Sequence, residues 1–91
     1  MAALDLLGRR WSLRVLWELR ETPAGARELR DRCDAMSPSV LYQRLGELTE
    51  AGLITQDPDL RYGLTELGRA LGTALEPLDQ WSRAWAKGVS C

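Results

Sequence analysis

A chain of 91 residues, 45% hydrophobic and 27% charged, has room for one small core, and cores of that size are often completed by association. A net charge of −1 argues against strong nonspecific adhesion to nucleic acid. The absence of histidine removes the commonest general base and metal ligand, and two cysteines are too few for a disulfide framework.

No apolar run approaches the roughly 18 residues of a membrane span, and "MAALDLLGRRW" lacks the charged-then-apolar layout of a secretory leader. The expectation is a cytoplasmic protein that is not an enzyme and carries no cofactor. Lys87 is the only lysine. Arginine suits two-point recognition of phosphate and guanine, although genomic base composition produces the same bias.

In chain order, "AALDLLG" reads as a short helix ended by Gly8. Ser12 is placed as the N-cap of a second helix over 13–21, whose Leu13, Val15, Leu16, Trp17 and Leu19 nearly surround it. "TPAG" breaks the chain. Residues 26–33, "ARELRDRC", form a third helix with Leu29 and Cys33 inward.

The fourth helix carries its own start and stop signals. Ser37 caps it, Pro38 takes the first helical position, Met36 can close on Leu41, and Gly52 ends it. Leu41, Leu45 and Leu48 make a core-facing stripe, and Ser39, Gln43 and Gly46 occupy the bare opposite side. Short strands over 53–56 and 60–64 flank the turn Asp57-Pro58-Asp59. Thr65 then caps a helix over 66–87. Its Leu67, Leu71, Ala74, Leu78, Trp81 and Trp85 are spaced 4, 3, 4, 3, 4, the seam of helices that pair lengthwise. Pro77 should kink or weaken that helix.

The elements give a mostly α fold with a small β-hairpin, in one domain over 1–91. A helix-turn-helix lies at about 26–51, with its turn in "DAM", followed by a wing at about 53–64 and a C-terminal helix at about 66–87.

The segments "ALDLLGRRWSLRVLWEL", "RELRDRC", "MSPSVLYQRLGELTEAGLI" and "YGLTELGRAL" resemble the HxlR-type winged-helix transcriptional regulators, relatives of the MarR group. The resemblance spans nearly the whole chain. It implies a homodimer that binds double-stranded DNA, built through the first and last helices. On these the dimer residues would be Leu4, Leu7, Leu71, Ala74, Leu78, Trp81 and Trp85. The fourth helix would enter the major groove, and the hairpin would be a wing on the flanking backbone.

Some positions depart from that family. Ser39 and Gly46 stand where lysine or arginine is common, and the wing tip is short and acidic. Ala26 replaces an aromatic residue. The cysteine that redox-sensing members carry ahead of the first helix has no counterpart.

The reading residues follow from helix direction and side-chain chemistry. Gln43 can pair with adenine at two points, Ser39 donates or accepts, and Pro38 or Tyr42 can touch a thymine methyl. Ser37 and the free N–H groups beside it suit a phosphate. Arg44 is a phosphate or guanine candidate, with pairing to an acid on a neighbouring helix as the alternative. Arg27, Arg30 and Arg61 are phosphate candidates, and Arg32 suits pairing within the domain equally well. Trp11, Trp81 or Trp85 could line the pocket of an unidentified small-molecule effector, against the simpler reading that tryptophans fill the core. The competing function is a winged-helix protein-interaction module with weak or lost DNA binding, which the acidic tip and the neutral helix face favour.

Overall fold

The computed structural model describes residues 2–9, 11–33 and 36–89. The chain runs α1 (Ala2–Leu7), α2 (Ser12–Glu18), α3 (Ala26–Arg32), α4 (Pro38–Glu50), β1 (Ile54–Gln56), β2 (Tyr62–Leu64) and α5 (Glu66–Val89). This is a winged helix-turn-helix, mostly α with one antiparallel hairpin. Asp34 and Ala35, most of the "DAM" turn, lie outside the described residues, as do Cys91 and the side chain of Leu4.

The core forms where the leucine periodicity places it. Leu41, Leu45 and Leu48 of α4 are fully buried beside Val15, Leu16 and Leu19 of the α2 segment, Leu29 and Cys33 of the α3 segment, and Met36. Burying each leucine contributes roughly 1.5–3 kcal/mol, so α4 is held by its inner stripe and its outer face is left without a packing role. Gly52 ends α4 at φ 81, a conformation that favours glycine.

Several expectations need correction. Ser12 does not cap α2; it is the first helical residue, and Trp11 stands in the cap position at φ 78. The chain makes its elbow in the left-handed region there, although no glycine is present. Ser12 is fully buried, and its Oγ has no hydrogen-bond partner among the described residues. Helix α2 also stops at Glu18 rather than Glu21, because Leu19 turns into the core.

The wing strands are shorter than expected. Leu60 has φ 63 and cannot be extended, so β2 begins at Tyr62. The hairpin gains a neighbour that the sequence does not announce. Ala24 donates its N–H to the Tyr62 carbonyl at 2.9 Å and accepts the Tyr62 N–H at 2.7 Å. Helix α5 continues through Pro77 as one element of 24 residues. None of the four tryptophans is fully buried: Trp11 and Trp17 are half-buried, and Trp81 and Trp85 are exposed.

The start of α5 is fastened to the end of α4. Thr65 Oγ1 accepts the Gly68 N–H at 3.1 Å, as expected of an N-cap, and donates to the Gly52 carbonyl at 2.6 Å. The Leu53 carbonyl accepts the Thr65 N–H at 3.1 Å. The first turn of α5 lies so close to this carbonyl that a Cβ on Gly68 would stand 2.1 Å from the Leu53 oxygen.

Gly68→Ala is therefore expected to destabilise the fold by at least the ~1–3 kcal/mol typical of overpacking. Gly72→Ala, where an added Cβ meets nothing within 4 Å, should gain up to about 1 kcal/mol from helix propensity. Urea unfolding of the two variants beside the parent checks both signs.

Candidate nucleic-acid interface

Helix α4 projects a capped N-terminus and a polar outer face. Ser37 is extended, at φ −73 and ψ 150, and its Oγ accepts the Val40 N–H at 3.3 Å. Pro38 occupies the first turn, and Ser37 Oγ lies 3.3 Å from Ser39 Oγ. Ser37, Pro38, Ser39, Tyr42, Gln43 and Gly46 are all exposed on this helix. The face therefore offers hydroxyls, one amide and one phenol, and no cation. An added Cβ at Gly46 meets nothing within 4 Å, so no contact inside the protomer requires a glycine there.

Arg44 does not belong to that face. Its side chain is only 12% exposed and is ion-paired with Glu47, one turn along the same helix. The same Glu47 carboxylate takes Arg9 Nε at 3.0 Å from the α1–α2 connection. Glu47 is thus the acid that claims Arg44, on its own helix rather than on a neighbouring one. Spacing alone made Arg44 a contact candidate; Glu47, three residues on along the same helix, was the local signal for the ion pair.

The other arginines divide clearly. Arg32 is turned inward: it donates to the Glu18 carbonyl at 3.1 Å and pairs with Glu28 at 3.4 Å. Arg27 and Arg30 are exposed on α3, and Arg61 is exposed at the foot of the wing. The Ala24–Tyr62 bridge ties the segment that leads into α3 to the wing strand that follows Arg61.

The wing tip is a tight, internally bonded loop. Asp57 Oδ1 accepts the N–H groups of Asp59 at 2.9 Å and Arg61 at 3.0 Å. The Asp57 carbonyl accepts the Leu60 N–H at 3.0 Å, and the Asp57 N–H donates to the Arg61 carbonyl at 2.9 Å. One acid of the tip is thus occupied in closing the loop. The pattern is the three-residue hairpin in which a left-handed residue follows a tight turn, a place glycine usually fills. Here it is Leu60, and it is 68% exposed.

The tryptophans do not gather around one cavity. Trp81 and Trp85 stack on each other at 6.1 Å between ring centroids, on the outside of α5. Trp11 packs on the core at the elbow. An apolar groove of about 410 Å3 lies elsewhere, among Leu6, Leu7, Ala51, Leu53, Leu67 and Leu71. No group of side chains suited to a metal ion occurs among the described residues, and no helix among them is long and apolar enough to cross a membrane.

Comparison with known proteins agrees with this architecture. Residues 6–90 match the HxlR-like helix-turn-helix family. The chain is 29% identical over 89 residues to YvaP, an uncharacterized HTH-type transcriptional regulator of Bacillus subtilis, covering 91% of this chain and 82% of that one. It is similar to the quinone-bound crystal structure of YodB from B. subtilis, with a TM-score of 0.76 and 30% identity over 96% of this chain and 92% of that one. A possible HxlR family transcriptional factor from Thermoplasma volcanium shares the fold, with a TM-score of 0.86 at 24% identity, over 96% of this chain and 84% of that one. The family and its named relatives are transcriptional regulators, not enzymes.

Two stability outcomes follow from the site's geometry. Leu60→Gly removes a side chain from a left-handed position and should stabilise the fold by up to about 1 kcal/mol. Gly46→Ala should also stabilise it, by up to about 1 kcal/mol. Thermal unfolding of each variant tests these signs, and a loss of stability in either would contradict the open, exposed geometry described.

Proposed function

The chain belongs to the HxlR-like helix-turn-helix family of transcriptional regulators, and from this we propose that it binds a pseudo-palindromic operator sequence-specifically, as a homodimer, in the cytoplasm. The observation that carries the reading is α4. It is capped at Ser37, held from behind by three buried leucines, and carries outward Ser39, Tyr42 and Gln43, which can meet base edges. The major groove admits one such helix, and its N-terminal residues reach the bases.

In this reading Gln43 pairs with adenine at two points, Ser39 donates or accepts, and Tyr42 or Pro38 lies against a thymine methyl. The N-terminal turn of α4 at Ser37 holds a backbone phosphate, which the helix dipole favours. Arg27, Arg30 and Arg61 supply the remaining phosphate contacts; Arg44 is excluded from the set because Glu47 holds it. Two protomers joined through α1 and α5 set their α4 helices about one turn of DNA apart, roughly 34 Å. Leu7, Leu71, Ala74, Leu78, Trp81 and Trp85 would form that junction, with Leu4 assigned to it from sequence alone. Occupancy of a promoter by such a dimer represses without further chemistry. The quinone in the YodB structure supports a small-molecule effector for this chain as well.

A second reading is a winged-helix protein-interaction module with weak DNA binding. The lack of a cation on the outer face of α4 and the exposed Asp59 at the wing tip favour it.

Selection from a random DNA pool separates the two. A regulator returns a two-fold motif with half-sites about one helical turn apart; an interaction module returns none. On the selected site, Gln43→Ala should weaken binding by ~1–3 kcal/mol with the salt dependence unchanged. Three arginines per protomer give a log–log salt slope of about −5 for the dimer, and Arg27→Ala should reduce its magnitude by about 2. Fluorescence anisotropy over a salt series measures both quantities. Weak binding that is independent of sequence and insensitive to Gln43→Ala would overturn specific readout.

A further inference from the structure

The flank of α4 beside its outer face carries a group of three charges. Glu47 lies four residues beyond Gln43, so helical spacing puts the two on the same side of α4. A bare carboxylate there would repel the phosphates that border a groove. It is not bare: Oε1 takes the Arg44 guanidinium, and Oε2 takes Arg9 Nε at 3.0 Å. Both oxygens are engaged, and the Glu47 side chain is only 23% exposed.

Stability alone gives a weak reason for this cluster. An ion pair drawn partly out of water gains little, because desolvation offsets the attraction. Two guanidiniums on one carboxylate gain less still, since they repel each other and leave one positive charge uncompensated. Yet the three groups are brought together from segments 38 positions apart.

The two cations are not held alike. The Arg44 side chain is 12% exposed and that of Arg9 is 52% exposed. Arg9 stands in the α1–α2 connection, where Gly8 beside it is also exposed. If Glu47 lost its charge, the repulsion between the guanidiniums would remain, and Arg9 could turn outward by changing rotamer alone. Arg44 is enclosed and would stay.

We propose that Glu47 is a positioning residue that sets the specificity of DNA binding: by holding Arg9, with Arg44, it keeps cations off the phosphate backbone and holds sequence-independent binding low. This rests on the DNA-binding reading of the preceding section. A free Arg9 finds phosphate most readily in loosely docked complexes, whose geometry is unconstrained. In an operator complex the base contacts fix the register, and a mobile cation at the margin gains less. Nonspecific sites outnumber operators by orders of magnitude, so their affinity governs how much protein is left to occupy the operator.

Binding to a mixed-sequence duplex, followed by fluorescence anisotropy over a sodium chloride series, tests the assignment. Glu47→Gln should steepen the log–log slope by about 2 for the dimer, one new phosphate contact by Arg9 on each protomer. Affinity for this duplex should rise more than about tenfold at roughly 0.1 M salt. Glu50→Gln removes the same charge from an exposed site on the same helix, one without an ion pair among the described residues. It should change the slope little; equal steepening by both variants would reduce the effect to net charge and overturn the proposal. An unchanged slope in Glu47→Gln would overturn it as well. Arg9→Gln should leave the parent's slope as it is, but remove the added steepness from Glu47→Gln. An equal loss in both backgrounds would mean that Glu47 does not withhold Arg9. On a selected operator the gain from Glu47→Gln should be smaller than on mixed sequence, and an equal gain would sink the role in specificity. Thermal unfolding checks that each variant folds, with Glu47→Met as the second substitution at that site. Failure of both to fold would make the cluster a structural clamp and overturn the proposal. If selection returns no operator, the operator reading falls, while the mixed-sequence slopes still report whether Glu47 withholds Arg9.

Discussion

The approach of Gly68 to the Leu53 carbonyl fixes how the longest helix meets the rest of the protein. The carbonyl accepts the Thr65 N–H, Thr65 reaches across to the Gly52 carbonyl, and only a residue without Cβ fits at the next turn. Four backbone groups at the end of α4 and the start of α5, the Gly52 and Leu53 carbonyls and the Thr65 and Gly68 N–H groups, are satisfied in one place. The direction of α5 is thereby tied to the C-terminal end of α4. This joint, together with the packing of α5 on α2 and β2, sets the position of α5 relative to α4.

The reading surface is economical with charge. Of the arginines near it, Arg44 is committed to Glu47 and Arg32 to the α2–α3 connection, so neither adds to the external field. The outward groups of α4 are neutral hydrogen-bonding side chains, and the exposed cations sit at its margins, on α3 and at the foot of the wing. This separates the two tasks of a DNA-binding surface. In the proposed complex the neutral groups would face the bases, and a small number of cations would fix position. Affinity in such a surface leans on fit more than on counterion release.

Much of this was legible in the sequence, because strong local signals and a single hydrophobic period agreed. Ser37, Pro38 and Gly52 bound α4 within a residue, Leu41, Leu45 and Leu48 define its inner face, and Thr65 marks the start of α5. What escaped notice depends on residues distant in the chain or on backbone conformation. The Ala24–Tyr62 bridge involves one residue of each segment and leaves no periodic trace. The approach of Arg9 to Glu47 joins segments 38 positions apart, whereas the Arg44–Glu47 pair was within reach of the sequence at one helical turn. Leu60 reads as a strand residue because leucine seldom adopts φ 63, and Ser12 reads as a cap because Trp11 seldom adopts φ 78. At Leu60 the loop closed by Asp57 imposes the conformation on an exposed residue, and at Trp11 the conformation accompanies packing on the core.

The elbow at Trp11 and Ser12 has a consequence for the order in which the molecule loosens. A left-handed tryptophan and a buried hydroxyl without a partner among the described residues each cost about 1–3 kcal/mol, a large share of the 5–15 kcal/mol that holds a typical domain together. Helix α1, at six residues, is too short to persist alone and takes its order from Leu6 and Leu7 packing on the core. The cheapest local opening therefore lies at the N-terminal end. Arg9 belongs to the connection that would move with it, so the same opening withdraws one of the two cations that Glu47 holds. Fraying at one end of the chain is thus coupled, through one carboxylate, to the electrostatic balance on the flank of α4.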